Sequence, residues 1–263
     1  MHQQSKATSS SSSNPITEGV IWQQLLLFFF PILFGTFFQQ LYNTADAVIV
    51  GRFLGKQALA AVGGSTTSII NLLIGFFIGL SSGATVIISQ YYGAKKADMV
   101  GYAVHTAITA SIISGAILTA VGFFGAPLAL RAMGTPEDVL VFATLYIRIY
   151  FLGTIPNLIY NIGSGILRAV GDSKRPLYFL MASCFTNILL DILLVILLRF
   201  GIAGAAIATI FSQCVSAFLV IFTLTRTKDL HSLVLSKLGL DMRMLKRIIH
   251  IGLPSGLQSS MYG

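Results

Sequence analysis

Six long apolar stretches separated by short polar breaks set the pattern of this chain, at residues 24–50, 60–91, 102–124, 139–167, 177–198 and 202–224. About 20 helical residues cross a bilayer core, so each stretch is long enough to span once. A seventh stretch begins near Met244 and runs to Gly263. The pattern predicts an all-α, polytopic membrane protein: a six-helix transmembrane lobe plus the start of a seventh helix. Four units follow: a polar, Ser-rich tail over residues 1–15, expected to be disordered; the lobe over 16–225; a linker over 226–243; and the start of a second lobe over 244–263.

The polar positions inside these stretches are where chemistry is expected. The segment PILFGTFFQQLYNTADAVIVGRFLG carries one carboxylate, Asp46. Gln39, Tyr42, Asn43 and Asp46 follow at steps of three or four, which groups them on one side of a helix. An acid at membrane depth costs about 2.5–3.5 kcal/mol on insertion scales, so it normally faces water or a partner. The bland alternative is an acid near the end of its span, snorkelling to the interface. Pro31 lies lower on the same helix, where it can interrupt the backbone ladder.

The fifth span holds Asn187 and Asp191 one turn apart, at a depth similar to that of Asp46, and Thr209 in the sixth span offers a further oxygen. Such an oxygen-only set suits a proton or a hard cation, with sodium the metal to consider at Asp46, Asp191, Asn187 and Thr209. The fourth span carries the longest polar stripe: Tyr146, Tyr150, Gly153, Asn157, Asn161, Ser164 and Arg168, with Pro156 expected to interrupt the helix. A stripe that long is expected to line a cavity, although interhelical hydrogen bonding alone would also account for it. Arg148 is expected near the outer interface or paired with an acid.

Composition narrows the class. The chain of 263 residues is 55% hydrophobic and 10% charged, with a mean hydropathy of +0.82. The net charge of +8 does not indicate nucleic acid, because the basic residues lie in short loops and form no patch. Placing the N-terminus inside puts twelve basic residues in cytoplasmic loops and four outside, which predicts a cytoplasmic N-terminus, loop 93–98 inside and loop 51–56 outside. Cys184 and Cys214 read as buried thiols, and the four histidines form no ligand cluster. The initial polar stretch lacks the features of a signal peptide. Gly75, Gly79 and Gly83 form a smooth stripe on the second span, and Gly204 with Ala208 a shorter one on the sixth, where another helix can approach closely.

A faint repeat relates IIHIGLPSGLQ around Pro254 to LLFFFPILFGT around Pro31, so the seventh span looks like the first of a second copy. Together, PILFGTFFQQLYNTADAVIVGRFLG, ALAAVG, SQYYGAKKADMVGYAV, LRAVGDSKRP and the Asn187–Asp191 pair resemble the multidrug and toxic compound extrusion (MATE) family. The similarity runs from about Ile16 to the last residue. The resemblance implies half of a twelve-helix, inverted-V transporter of the plasma membrane. Such a transporter exports small, often cationic, organic compounds against inward proton or sodium flow. It implies a coupling ion and no cofactor, with a C-terminal lobe and the lipid bilayer as partners.

By the same resemblance, Asp46, Asp191, Asn187, Thr209 and Tyr42 would serve cation or proton coupling. Gln39, Asn43, Tyr146, Tyr150, Asn157 and Asn161 would line the substrate cavity, and Pro31 would be the hinge of the first helix. The departure is length, since most of the second lobe is lacking, and the chain reads as a truncated or partial form. The competing readings are a flippase-type exporter of lipid-linked saccharides, a membrane remnant without transport of its own, and a membrane-embedded transferase. The transferase reading lacks a metal-binding loop.

Overall fold

The computed structural model describes residues 21–261, and the Ser-rich tail lies outside them. Among the described residues nine α-helices follow in order: α1 (Ile21–Phe53), α2 (Lys56–Gly63), α3 (Ser65–Gly93), α4 (Ala97–Ala132), α5 (Glu137–Leu152), α6 (Thr154–Ala169), α7 (Lys174–Asp191), α8 (Ile202–Arg226) and α9 (Met242–Met261). No strand occurs among the described residues. Among the described residues five segments are long and apolar enough to cross a membrane, and α5 with α6 makes a sixth if the bent pair is one span. The protein is a multi-pass helical membrane protein.

Three of the expected spans are interrupted. The second divides at Gly64 into α2 and α3. The fourth divides at Gly153, where α5 and α6 meet at a bend of 50°. Pro156, three residues on, accounts for the break, because it offers no N–H to the Leu152 carbonyl and its ring crowds that oxygen. It lies in the first turn of α6, where a missing N–H costs nothing because first-turn donors have no helical acceptor. The fifth runs from α7 into a π-helical turn, Ile192–Leu197, directly after Asp191. Gly201, at φ 62°, then turns the chain into α8. The run ILLVIL gives no sequence signal for this wider turn.

The buried apolar residues form two clusters. One joins the end of α1 to α2, α4, α5 and the start of α8, through Val50, Ala58, Leu130, Ile147, Phe151 and Ala205. The other joins α3, α4, α6, α8 and α9, through Ile88, Val104, Ile108, Leu167, Leu224 and Ile248. In lipid the gain from such contacts is close packing more than exclusion of water. Helix α1 rests mainly on α7 and leaves Leu25, Leu27, Phe30 and Phe37 exposed.

The most extensive helix pair is α3 with α9. Their backbones meet at glycines: a Cβ on Gly79 would lie 2.4 Å from Gly256 Cα, and one on Gly83 would lie 2.3 Å from the Ile248 carbonyl oxygen. The glycine stripe thus serves close helix approach, as its spacing predicts. On α8, Gly204 packs against the backbone and Cβ of Leu194 in the π-helical turn, 3.2 Å from its would-be Cβ.

The segment joining α8 to α9 is fastened to the lobe. His105 Nε2 accepts from the Val234 N–H at 3.1 Å, Leu224 O accepts from the Leu233 N–H at 2.9 Å, and Thr106 Oγ1 accepts from the Asp241 N–H at 3.2 Å. Asp241 Oδ1 in turn accepts from the Met244 N–H and caps α9. Cys214 departs from expectation: it is exposed, because its position on α8 faces away from the neighbouring helices, whereas Cys184 is buried.

Candidate ion and substrate site

Asp46 on α1 and Asp191 on α7 approach each other across the helix pair closely enough to interact directly. Asp46 is 6% exposed, while Asp191 and Asn187 are fully buried. Five of their polar atoms have no hydrogen-bond partner: Asp46 Oδ1, both Asp191 carboxyl oxygens, and Oδ1 and Nδ2 of Asn187. Unpartnered buried polar atoms are uncommon and costly, and five of them lie together here. The three residues converge because Asn187 and Asp191 are one α7 turn apart and Asp46 lies on the α1 face that packs on α7.

Tyr42, one turn before Asp46, neighbours the hydroxyls of Thr209 and Ser212 on α8. Thr209 is buried and donates its own hydroxyl to the Ala205 carbonyl at 3.0 Å, which leaves its oxygen able to accept. Tyr146 is 4% exposed and stacks at a tilt on Tyr150, centroid to centroid 6.1 Å. Both tyrosines interact with Asp46. Among the described residues no group of three or more His, Cys, Asp or Glu side chains could hold a metal. The oxygens at this site, two carboxylates with an amide and a hydroxyl, fit a proton or a hard monovalent ion better than a transition metal.

Beside Tyr42 lies a cavity of about 170 Å³ of mixed polar and apolar lining between α1, α6, α7 and α8. Gln39, Asn157 and Asn161, three of the expected cavity residues, line it, together with Tyr42, Pro31 and Arg168. Asn161 Nδ2 donates to Asn157 Oδ1 at 3.0 Å and to the Asn157 carbonyl at 2.8 Å, so the two amides are held to each other. Ser183, Gln213 and Ser216 also line the cavity and were missed in the sequence. Their signal was present: Gln213 lies four residues after Thr209 and Ser216 four after Ser212 on α8, and Ser183 lies four before Asn187 on α7.

Three expected positions fall elsewhere. Asn43 is exposed, bonds to Gln40 at 3.3 Å and lines a shallow groove with Arg52 and Leu59. Adjacent helix residues point about 100° apart, so Asn43 and Tyr42 occupy opposite edges of their stripe and only Tyr42 reaches the cavity. Tyr146 and Tyr150 lie outside the cavity walls, against the carboxyl pair. Arg148 pairs with no acid among the described residues: its Nε donates to the Phe123 carbonyl at 3.1 Å and its guanidinium lies 5.4 Å from the Phe123 ring centroid.

Nine helices with five or six spans, two buried carboxyls facing each other and a neighbouring cavity define a multi-pass membrane lobe among the described residues. The MatE family model matches residues 31–193, well over half the chain, and the chain belongs to the MATE family. It is 35% identical over 249 residues to a probable multidrug resistance protein, YpnP, of Bacillus subtilis (strain 168), covering 92% of this chain and 54% of that protein. It is 24% identical over 243 residues to the multidrug export protein MepA of Staphylococcus saprophyticus subsp. saprophyticus (strain ATCC 15305 / DSM 20229 / NCIMB 8711 / NCTC 7292 / S-41), with coverage of 92% and 54%. Its fold matches the solved outward-facing conformation of a multidrug resistance MATE family transporter of the MOP superfamily. That match has a TM-score of 0.86 and 27% identity, over 95% of this chain and 56% of the other. The chain spans about half the length of the relatives it matches.

Proposed function

We propose that this chain forms the N-terminal lobe of a multidrug exporter that couples outward movement of small organic compounds to inward movement of protons or sodium ions. The carrying observation is the cluster of unpartnered buried atoms on Asp46, Asn187 and Asp191. Two facing carboxyls in low dielectric resist simultaneous ionisation, and an entering proton or sodium ion relieves that conflict. Tyr42 borders both the carboxyl site and the cavity, so ion and solute share a wall. A shared wall is how occupancy at one place becomes a coupling free energy at the other. The names of the relatives support the drug-export reading.

Alternating access needs a second lobe to rock against, so the exporting unit is this lobe with a C-terminal counterpart. The unit works in the plasma membrane with the N-terminus cytoplasmic, and Pro31 serves as a hinge of α1. The distribution of basic residues motivates that orientation. The decisive experiment measures dye efflux by the two-lobed protein under an imposed proton or sodium gradient. Asp46→Asn and Asp191→Asn each abolish gradient-dependent efflux at normal expression, and the double variant is no worse than either single, because the pair acts as one unit. Wild-type gradient dependence in either single variant refutes the shared site.

A further inference from the structure

A second cavity, of about 210 Å³, lies between α3, α4, α6 and α9, lined by none of the residues of the carboxyl site. The short side chains of Ala84, Ala107 and Ala110 leave the space open. Ile113, Ile117 and Ile249 line it as well and are exposed, so it is a groove that opens sideways from the bundle. Its two polar lining residues, Ser81 and Ser114, spend their hydroxyl protons on their own helices. Ser81 donates to the Ile78 carbonyl at 2.7 Å and Ser114 to the Ala110 carbonyl at 2.6 Å. A polar solute would find no free donor there.

The length of the groove limits what fits it. Along α4 the lining runs from Ala107 to Ile117, about 15 Å of helix. The hydrocarbon core of a bilayer is about 30 Å thick, so the groove spans about one leaflet. That is the reach of one acyl chain.

One end of the groove is cationic. Leu240 and Leu245 line that end, where the Asp241 N–H donates to Thr106 Oγ1 at 3.2 Å and holds the connecting segment against α4. Lys237, Arg243 and Lys246 stand close to these leucines in the chain, and all three are exposed. None of them forms an ion pair with a described acid. The nearest carboxylate in sequence, Asp241, uses Oδ1 to cap α9, and Arg247 donates to the Tyr91 hydroxyl instead. Met242, Leu245, Lys246 and Ile249 recur at steps of three or four, so Lys246 shares the α9 face that lines the groove. A lysine stem can lie along apolar surface while its ammonium reaches the interface.

We propose that this groove holds one acyl chain of an anionic phospholipid, with Lys246 at the phosphate. The chain fills the apolar channel, and the headgroup meets cations that no described acid pairs. A zwitterionic lipid brings its own cation to the same place and gains less. The site is separate from the carboxyl pair and needs no part of the export reading.

The test uses the purified chain in nanodiscs that contain phosphatidylglycerol or phosphatidylcholine, each with a photoactivatable diazirine midway along one acyl chain. After irradiation the adducts are mapped by peptide mass spectrometry. Adducts are expected to concentrate on residues 107–117 and 245–249, about fivefold more with phosphatidylglycerol, in line with one lysine at an anionic headgroup. Lys246→Gln, an exposed change whose folding an unaltered melting temperature reports, is expected to bring the two lipids level. Ala110→Phe fills the groove and is expected to remove these adducts while leaving those on α1. If that variant does not fold, Lys246→Gln decides alone.

Equal labelling of the unaltered chain by the two lipids overturns the proposal, as does a preference that survives Lys246→Gln. Adducts spread evenly over the exposed faces of α1 and α8 overturn it too, and so do groove adducts that persist in a folded Ala110→Phe variant. A diazirine-bearing hexadecane that labels the groove as strongly as phosphatidylglycerol makes it a pocket for headgroup-free apolar solutes. Crosslinks between two copies of the chain at Ile113 or Ile117 make it an interface. Either result removes the lipid.

Discussion

Arg148 Nε donates to the Phe123 carbonyl, the acceptor that Pro127 leaves without its helical N–H four residues on. An arginine on α5 thus completes the backbone of α4 inside an apolar layer. Arg148→Ala leaves that carbonyl unsatisfied and is expected to cost about 1–3 kcal/mol. Pro127→Ala restores the missing N–H, so the double variant should recover much of the loss. A thermodynamic cycle of melting measurements in detergent checks this, and strict additivity of the two changes would contradict the pairing.

The contact of α3 with α9 has no space for a side chain at Gly83. Gly83→Val is expected to push the two helices apart and cost about 1–3 kcal/mol or more. Gly101→Ala on α4 is the matched control: nothing lies within 4 Å of its would-be Cβ, and a helix-interior alanine gains roughly 0.5–1 kcal/mol. Melting temperatures should therefore move in opposite directions for the two variants.

Asn187 is a test of binding against folding. Both of its amide atoms are buried and unpartnered, so Asn187→Leu removes orphaned groups at similar volume and should leave thermal stability unchanged or raised. The same change should abolish any stabilisation of the chain by sodium or protons, read as an ion-dependent melting shift. A retained shift would remove Asn187 from the ion site.

Pro31 lies inside α1 and on the cavity wall. Its α1 neighbours rest mainly on α7, so bending at this point disturbs few other helices. Pro31→Ala should leave the fold of the lobe intact and impair efflux by the two-lobed protein several-fold. Undiminished efflux would reduce the proline to a packing residue.

His231, in the segment between α8 and α9, is 5% exposed, and its ring lies 6.4 Å from that of Tyr92. Burial lowers its pKa from 6.5; the nearby Asp229 and Asp172 pull it up and Arg175 pushes it down. The folded state thus prefers the neutral ring, and the detached segment binds more protons. Stability is complete above pH 6.5 and falls as the pH drops below it. Limited proteolysis of this segment should accelerate between pH 7.5 and pH 5.5, and His231→Phe should flatten that response.

The carboxyl pair was legible in the sequence because each acid stands in a long apolar helix with a polar residue one turn earlier, a pattern that one helical period exposes. The glycine stripe was legible for the same reason. Asn43 was misplaced because a stripe 100° wide has two edges, and only the packing of α1 on α7 selects between them. The partner of Arg148 was not legible at all. It depends on two residues 25 positions apart and on a proline whose effect is felt four residues upstream. The break at Gly153 was legible from Pro156, which cannot donate to the carbonyl four residues before it, as Pro127 cannot on α4.

The glycine contact also sets how this protein can drift. Any change of a glycine codon at position 79 or 83 that alters the residue adds at least one heavy atom where another backbone already stands. The exposed face of α1 carries Leu25, Leu27 and Phe37 out of contact with the rest of the lobe, where one apolar side chain can replace another. Two helices of one chain therefore evolve under opposite rules. Substitutions should accumulate along α1 while the α3–α9 seam stays fixed, and a change at Gly83 should survive only when α9 has already moved to meet it.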